Sequence, residues 1–173
     1  MRSPTDVLRD EHRVILRALD LLERAIGPGA ATADGWWGAA VAWLRAFADR
    51  NHHAKEEQSL FPAMVKAGVP SEGGPVAIML DEHARGRALI VAIADGAGGA
   101  RTAAVREYVD LLRAHIDKEN DVLFPLADAV IDPPLMQAVG REFEAVAIEL
   151  GASVSIEGGA EAVARLAAAL ERR

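Results

Sequence analysis

The chain contains one helical hairpin written twice, and this repeat restricts the fold more than any other feature. Asp10-Glu11-His12 matches Asp81-Glu82-His83, and His52-His53-Ala54-Lys55-Glu56-Glu57-Gln58-Ser59-Leu60-Phe61-Pro62 matches His115-Ile116-Asp117-Lys118-Glu119-Asn120-Asp121-Val122-Leu123-Phe124-Pro125. Aligned on Leu-Phe-Pro, His52 falls over His115 and Glu56 over Glu119, so the shared unit is His-x-x-x-Glu. The flanking residues have helical periodicity: Leu8, His12, Ile15, Leu19, Leu22 and Ile26 form one face, and Val105, Tyr108, Leu112, His115, Glu119, Val122 and Leu126 another. Ser3-Pro4-Thr5-Asp6 reads as a helix start, with Ser3 as N-cap and Pro4 in the first turn. Further helical segments are expected over about 34–67, 75–94 and 101–130, separated by Gly- and Pro-rich breaks.

Alternating strand patterns are missing, so the expected fold is all-α: an antiparallel up-down four-helix bundle over residues 1–131. Residues 132–173 are expected to add accessory C-terminal helices packed on the bundle: one over about 135–150, a loop over 151–159, and a short Ala-rich helix through Val163, Leu166 and Leu170. Trp36, Trp37 and Trp43 are expected to pack against that loop and those helices. Pro62 and Pro125 each follow Leu-Phe inside a helical segment. A missing N–H and a ring that clashes with the previous turn predict a kink or an end at both.

Composition narrows the chemistry. The 173 residues carry 19 basic and 26 acidic side chains, a formal charge of −7, and no basic run longer than Arg172-Arg173, so a general nucleic-acid footprint is not expected. With no cysteine, thiolate zinc sites, iron–sulfur clusters and cysteine nucleophiles are excluded, and any metal must be held by nitrogen and oxygen. No apolar stretch reaches the roughly 18 residues of a membrane span, and the N-terminus lacks the features of a secretory signal, so the expectation is a cytoplasmic protein.

Residues four apart on a helix are neighbours, so each His-x-x-x-Glu aims an imidazole and a carboxylate at one point. Two such helices facing each other, with His12 and His83 on the remaining two, would enclose four imidazoles and two carboxylates in an apolar core. One histidine on an apolar face is commonly a hydrogen-bonded core residue. Four of the five histidines on four helices, two with carboxylates at identical spacing, point to metal instead. Burying two ionised carboxylates is costly unless cations neutralise them. Imidazole and carboxylate together suit iron, manganese or zinc, and two carboxylates able to bridge suit a pair of ions.

The second helix offers a competing register, because His53 and Glu57 are also four apart. The repeat and the side occupied by Val41, Leu44 and Ala48 favour His52 and Glu56 as ligands, leaving His53 and Glu57 for the rim or for hydrogen bonds to ligands. Glu11, Asp81 and Glu82 are candidate acceptors for imidazole N–H groups. Tyr108, two turns before His115, could donate to a bridging oxygen or quench oxidising equivalents, or simply be a core tyrosine satisfied locally.

The pattern His12, His52-x-x-x-Glu56, His83, His115-x-x-x-Glu119, with Leu-Phe-Pro after both carboxylates, resembles the hemerythrin-like (HHE cation-binding) family over about residues 5–130. The resemblance implies an oxo- or hydroxo-bridged di-iron centre, with Glu56 and Glu119 bridging and the histidines terminal. Ferritin-like bundles fit less well, since they use Glu-x-x-His. The invertebrate oxygen carriers of the family place a second histidine one turn after the third-helix ligand, whereas here that position is Arg87, so the site is similar to the six-ligand bacterial type. That type implies open positions for O₂, peroxide, nitric oxide or water, and redox or peroxide handling ahead of oxygen carriage. It leaves two readings: an O₂- or peroxide-reactive oxidoreductase, or an O₂-, NO- or iron-sensing regulatory protein without turnover. Residues 74–83 look like those of family members implicated in iron–sulfur centre repair. Those usually carry an extra N-terminal domain that is not found here, which argues against that assignment. No protein partner is indicated.

Overall fold

The computed structural model describes residues 2–30 and 32–171, so Arg172-Arg173 lies outside the described residues. Six helices follow one another, with no strand among the described residues: α1 (Pro4–Ala25), α2 (34–66), α3 (Pro75–Asp95), α4 (98–130), α5 (Pro133–Leu150) and α6 (Ile156–Glu171). The first four form the helical bundle. Ser3 caps α1 as expected, its Oγ accepting from the Asp6 N–H at 3.1 Å, and Asp132 caps α5 by accepting from the Leu135 N–H at 2.8 Å. The α4 helix begins at Gly98, three residues earlier than expected, because the break between α3 and α4 needs only Gly96 and Ala97.

Neither internal proline ends its helix. Instead α2 runs as π-helix over Leu44–His53 and again over Glu56–Leu60, and α4 does so over Glu119–Leu123. Each Leu-Phe-Pro is preceded by a wide turn in which the Phe N–H donates five residues back, Phe61 to the Glu56 carbonyl and Phe124 to the Glu119 carbonyl. Proline has no N–H, so the turn before it is free to widen. The consequence is a change of face. Val122 is 58% exposed and Leu126 only half-buried, while Leu123 and Ala127 face the core, which corrects the straight-helix reading of α4 by one position.

Two apolar clusters fill the bundle and leave a polar layer between them. One contains Ile15, Leu19, Leu44, Phe47, Val105, Leu112 and Ile116, and the other Leu8, Leu60, Phe61, Met64, Val76, Leu123 and Phe124. The C-terminal helices join both: Val163 and Leu170 of α6 enter the first, Val139 and Phe143 of α5 the second. Trp43 donates Nε1–H to the Gly159 carbonyl and Trp36 to the Leu166 carbonyl, while Trp37 lies under the Arg101 guanidinium of α4. Residues 151–159 are not a plain loop, since a 3₁₀ turn at Ala152–Val154 leads directly into α6. Gly159 explains the tight approach, because a Cβ there would lie 2.2 Å from Phe47 Cε2. No helix among the described residues is long and apolar enough to cross a membrane.

Candidate metal centre

The polar layer between the two apolar clusters consists of His12 from α1, His52, His53 and Glu56 from α2, His83 from α3, and His115 and Glu119 from α4, all buried. Their ligand atoms form two overlapping groups, each drawn together within 4.8 Å: His12, His52, Glu56 and Glu119, and His53, Glu56, His83 and His115. The structure therefore brings together all six residues of the sequence-derived set, and adds His53 to them. Glu56 stands at the junction, with Oε1 3.6 Å from His52 Nε2 and Oε2 3.5 Å from His83 Nε2. Glu119 Oε2 lies 3.1 Å from His12 Nε2 and 3.2 Å from His115 Nε2.

Four of the imidazoles are oriented by an acceptor on Nδ1. His52 donates to Glu11 Oε2 at 2.9 Å, His115 to Glu82 Oε2 at 2.9 Å, His12 to Asn120 Oδ1 at 2.9 Å and His83 to Glu57 Oε1 at 2.8 Å. These acceptors assign the proton to Nδ1 and turn each Nε2 lone pair inward. The pattern repeats with the sequence. Glu11 and Glu82, each preceding one of these histidines, hold the histidine of the next helix, and the residues following Glu56 and Glu119, Glu57 and Asn120, hold the histidines of α3 and α1. Lys55 and Lys118, also in matching positions, pair with Glu11 and Glu82. Sequence reasoning named Glu11, Glu82 and Glu57 without saying which imidazole each would hold. It missed Asn120 and the two lysines, although all three lie inside the repeat blocks. Asp81 is exposed and takes no such role.

The electrostatics show what this layer lacks by itself. Burial and the neighbouring Glu119 charge push the Glu56 carboxyl well up, whereas the imidazoles of His115 and His12 outweigh burial and hold Glu119 down. Burial lowers His52 to about 4, in spite of Glu11, and lowers His83 and His53. His115 is also buried, yet Glu119 and Glu82 raise it. His83 Nε2 and His115 Nε2 face each other at 3.1 Å, and with both Nδ1 protons donated outward two lone pairs meet there unless a positive charge lies between them. His12 Nε2, His52 Nε2 and all four oxygens of Glu56 and Glu119 are buried without a hydrogen bond. Buried unpaired carboxylates and converging lone pairs are the donor set a pair of cations satisfies, and nitrogen and oxygen donors without sulfur suit iron. The residues present fit the group.

Arg87, four residues after His83, does not reach inward. It forms a lid of charge, donating from Nε to Asp49 Oδ1 and from Nη2 to Glu57 Oε1, both at 2.7 Å. Tyr108 is fully buried, but its hydroxyl is not satisfied locally: it makes no hydrogen bond, and burial with the Asp49 charge pushes its pKa up. Its ring packs below Gly86, one turn beyond His83, and the hydroxyl is not part of either ligand group.

The family model described as Hemerythrin HHE cation binding domain matches residues 3–127. The chain belongs to this family. Hemerythrin-type domains bind two iron ions, and the two His/Glu groups of this hemerythrin-like domain are able to hold metal. The chain is also similar to proteins named iron-sulfur cluster repair protein YtfE from Escherichia coli O157:H7, Escherichia coli SMS-3-5 and Escherichia fergusonii. It is 36% identical to each over 90 residues, covering 44% of this chain and 40% of theirs. The match thus spans well under half the length of these relatives. No solved structure matches at comparable significance.

Proposed function

We propose that this hemerythrin-like domain is an iron-dependent stress protein whose di-iron centre reacts with O₂, peroxide or nitric oxide, with redox or peroxide handling as its activity. The observation that carries the reading is the pair of buried, overlapping donor groups sharing Glu56, whose two carboxyl oxygens make no hydrogen bond. The residues that would hold the ions are His12, His52, Glu56, His83, His115 and Glu119, with Glu57 holding His83. Residues 1–131 are proposed as the cation-binding unit and 132–173 as its accessory. The similarity to iron–sulfur repair proteins supports an iron-binding role under stress.

When bound, the irons would supply electrons and Lewis acidity. The chain supplies the remainder. Glu11, Glu82, Glu57 and Asn120 fix the imidazole tautomers, so the lone pairs are presented without reorganisation. The apolar clusters above and below exclude water, which strengthens every charge interaction inside.

A sensor reading is favoured by one contact. Lys55, paired with the Glu11 that holds His52, lies 5.9 Å over the Phe143 ring of α5, so the set of the His52 imidazole is mechanically linked to the accessory helices. Purified protein separates the readings. Two irons per chain, a near-ultraviolet charge-transfer band and rapid peroxide turnover are expected for the redox protein. Reversible NO or O₂ binding without turnover would establish the sensor, and a colourless protein that takes up no iron would overturn both.

A further inference from the structure

His53 has no counterpart in the second repeat, where the matching position is the buried apolar Ile116. If the position only needed filling, an apolar residue would serve, as it does there. Instead His53 is buried to 4% exposure, and neither ring nitrogen makes a hydrogen bond. A neutral imidazole carries one donor and one acceptor, and leaving both unsatisfied in the interior costs about 1–3 kcal/mol each.

Adjacent residues on a regular α-helix point about 100° apart, and only one of two would ordinarily face a site. His53 ends the ten-residue π-helical run Leu44–His53, whose wider turn brings it and His52 to the same layer. Its ring lies parallel to His83, with centroids 3.9 Å apart, and edge-on to His115 at 5.8 Å. Its ligand atom falls within 4.8 Å of those of Glu56, His83 and His115. Asp49, one turn earlier, stands 3.7 Å from His53 Nδ1, in the place where each of the other four imidazoles has its acceptor.

Resting on the di-iron reading above, we propose that His53 is a fifth imidazole ligand, so that one ion is held by His53, His83 and His115 and the other by His12 and His52. Arg87 occupies the position one turn beyond His83 and is engaged by Asp49 and Glu57, so α3 offers no second imidazole to this ion. The extra ligand comes from α2, and the two irons are inequivalent because the repeat is broken at one position.

The test uses the full chain reconstituted with ⁵⁷Fe. Wild type is expected to show two Mössbauer doublets of equal area and unequal splitting. His53→Gly should release one of its two irons to a ferrous chelator more than about 100-fold faster after reduction, beyond the effect of losing a hydrogen-bond partner of a ligand, and millimolar imidazole should restore slow release. His53→Gln, which keeps the volume and helicity, should release as fast as His53→Gly and gain nothing from imidazole. Wild-type release rates and doublets in both variants, or an acceleration of both irons alike that imidazole does not reverse, would overturn the assignment and leave His53 a packing residue. Failure of the di-iron reading has a different signature, a wild-type chain that takes up no iron.

Discussion

The two halves of the centre are assembled from the same parts in the same register, yet they meet their surroundings differently. On one side His12 and His52 are held by a neutral amide, Asn120, and by Glu11, whose partner Lys55 is 4% exposed beneath Phe143 of α5. On the other, His83 and His115 are held by two carboxylates, Glu57 and Glu82, whose cationic partners Arg87 and Lys118 are 40% and 43% exposed. A duplicated hairpin thus supplies the geometry of a symmetric site, buried in both halves, and the additions around it leave the cationic partner of one half buried and those of the other exposed. The six repeated candidate ligands are common to both halves, and His53 and the partners around them are not.

The strongest way to break the comparison is to remove what both halves share. Glu56 belongs to both ligand groups and Glu119 is grouped with His12 and His52. Glu56→Ala is expected to lose both irons, with affinity falling by more than about 100-fold, beyond the effect of losing a ligand's hydrogen-bond partner. Glu119→Ala should lose the His12/His52 iron first. Iron content by mass spectrometry after gel filtration gives the count, and retention of two irons in Glu56→Ala would show that the halves are independent sites.

The second test removes matching residues from each half. Glu11→Ala strands a buried ammonium and should destabilise the fold by about 3–5 kcal/mol. Glu82→Ala leaves Lys118 in water but unpairs the buried His115 Nδ1–H, and should cost about 1–3 kcal/mol, less than Glu11→Ala. Urea unfolding of the metal-free variants measures both. Equal losses would mean that α5 does not desolvate the Lys55 pair.

Much of this centre was legible in the repeat, and the reason is chemical. His-x-x-x-Glu read twice at one register leaves few other uses for buried imidazoles and carboxylates, and capping residues such as Ser3 and Asp132 act locally. The parts that escaped depend on how the helices are wound. Nothing in α2 or α4 taken as regular helices tells that a π-turn precedes each Leu-Phe-Pro. For that reason Val122 appeared to face inward in place of Leu123, and His52 and His53 appeared to be alternatives although both turn into the layer. The crossed partners, Glu11 to His52 and Glu82 to His115, depend on which helices become neighbours, and periodicity along one helix carries no information about that.

Acidity sharpens the contrast, because His52 and His115 are shifted in opposite directions. Burial takes His52 from 6.5 to about 4 in the folded chain, so between those values the unfolded chain binds the extra proton. Its contribution is complete above about pH 6.5 and is lost as pH falls toward 4, on the order of 3 kcal/mol in all. His115, raised by Glu119 and Glu82 against its burial, contributes stability that is present below about pH 6.5 and is lost as pH rises through its raised value. Urea midpoints of the metal-free protein across pH should therefore fall on both sides, with His52→Gln flattening the acid limb and His115→Gln the other. A single limb removed by both variants would mean that the halves titrate as one.

The smallest expected difference concerns the acceptors of His83 and His12. Glu57 and Asn120 occupy matching positions and accept the same kind of Nδ1–H bond, at 2.8 and 2.9 Å, so geometry does not separate them. Charge does, since a carboxylate makes the imidazole it holds a stronger donor to a cation than an amide does. Arg87 already neutralises much of Glu57, and both side chains are partly exposed, so water screens the remainder. Glu57→Gln is therefore expected to hasten chelator release of the iron on the His83 side only a few-fold, below the roughly tenfold to 100-fold range for such partners. Asn120→Asp should slow release on the His12 side more noticeably, because it adds a charge to the acceptor of His12, whereas the charge on Glu57 is already paired with Arg87. If the double exchange reverses the order in which the two irons leave, the acceptor pair sets the asymmetry. If the order persists, the number of imidazoles sets it, and the odd histidine of α2 matters more than the charge beside it.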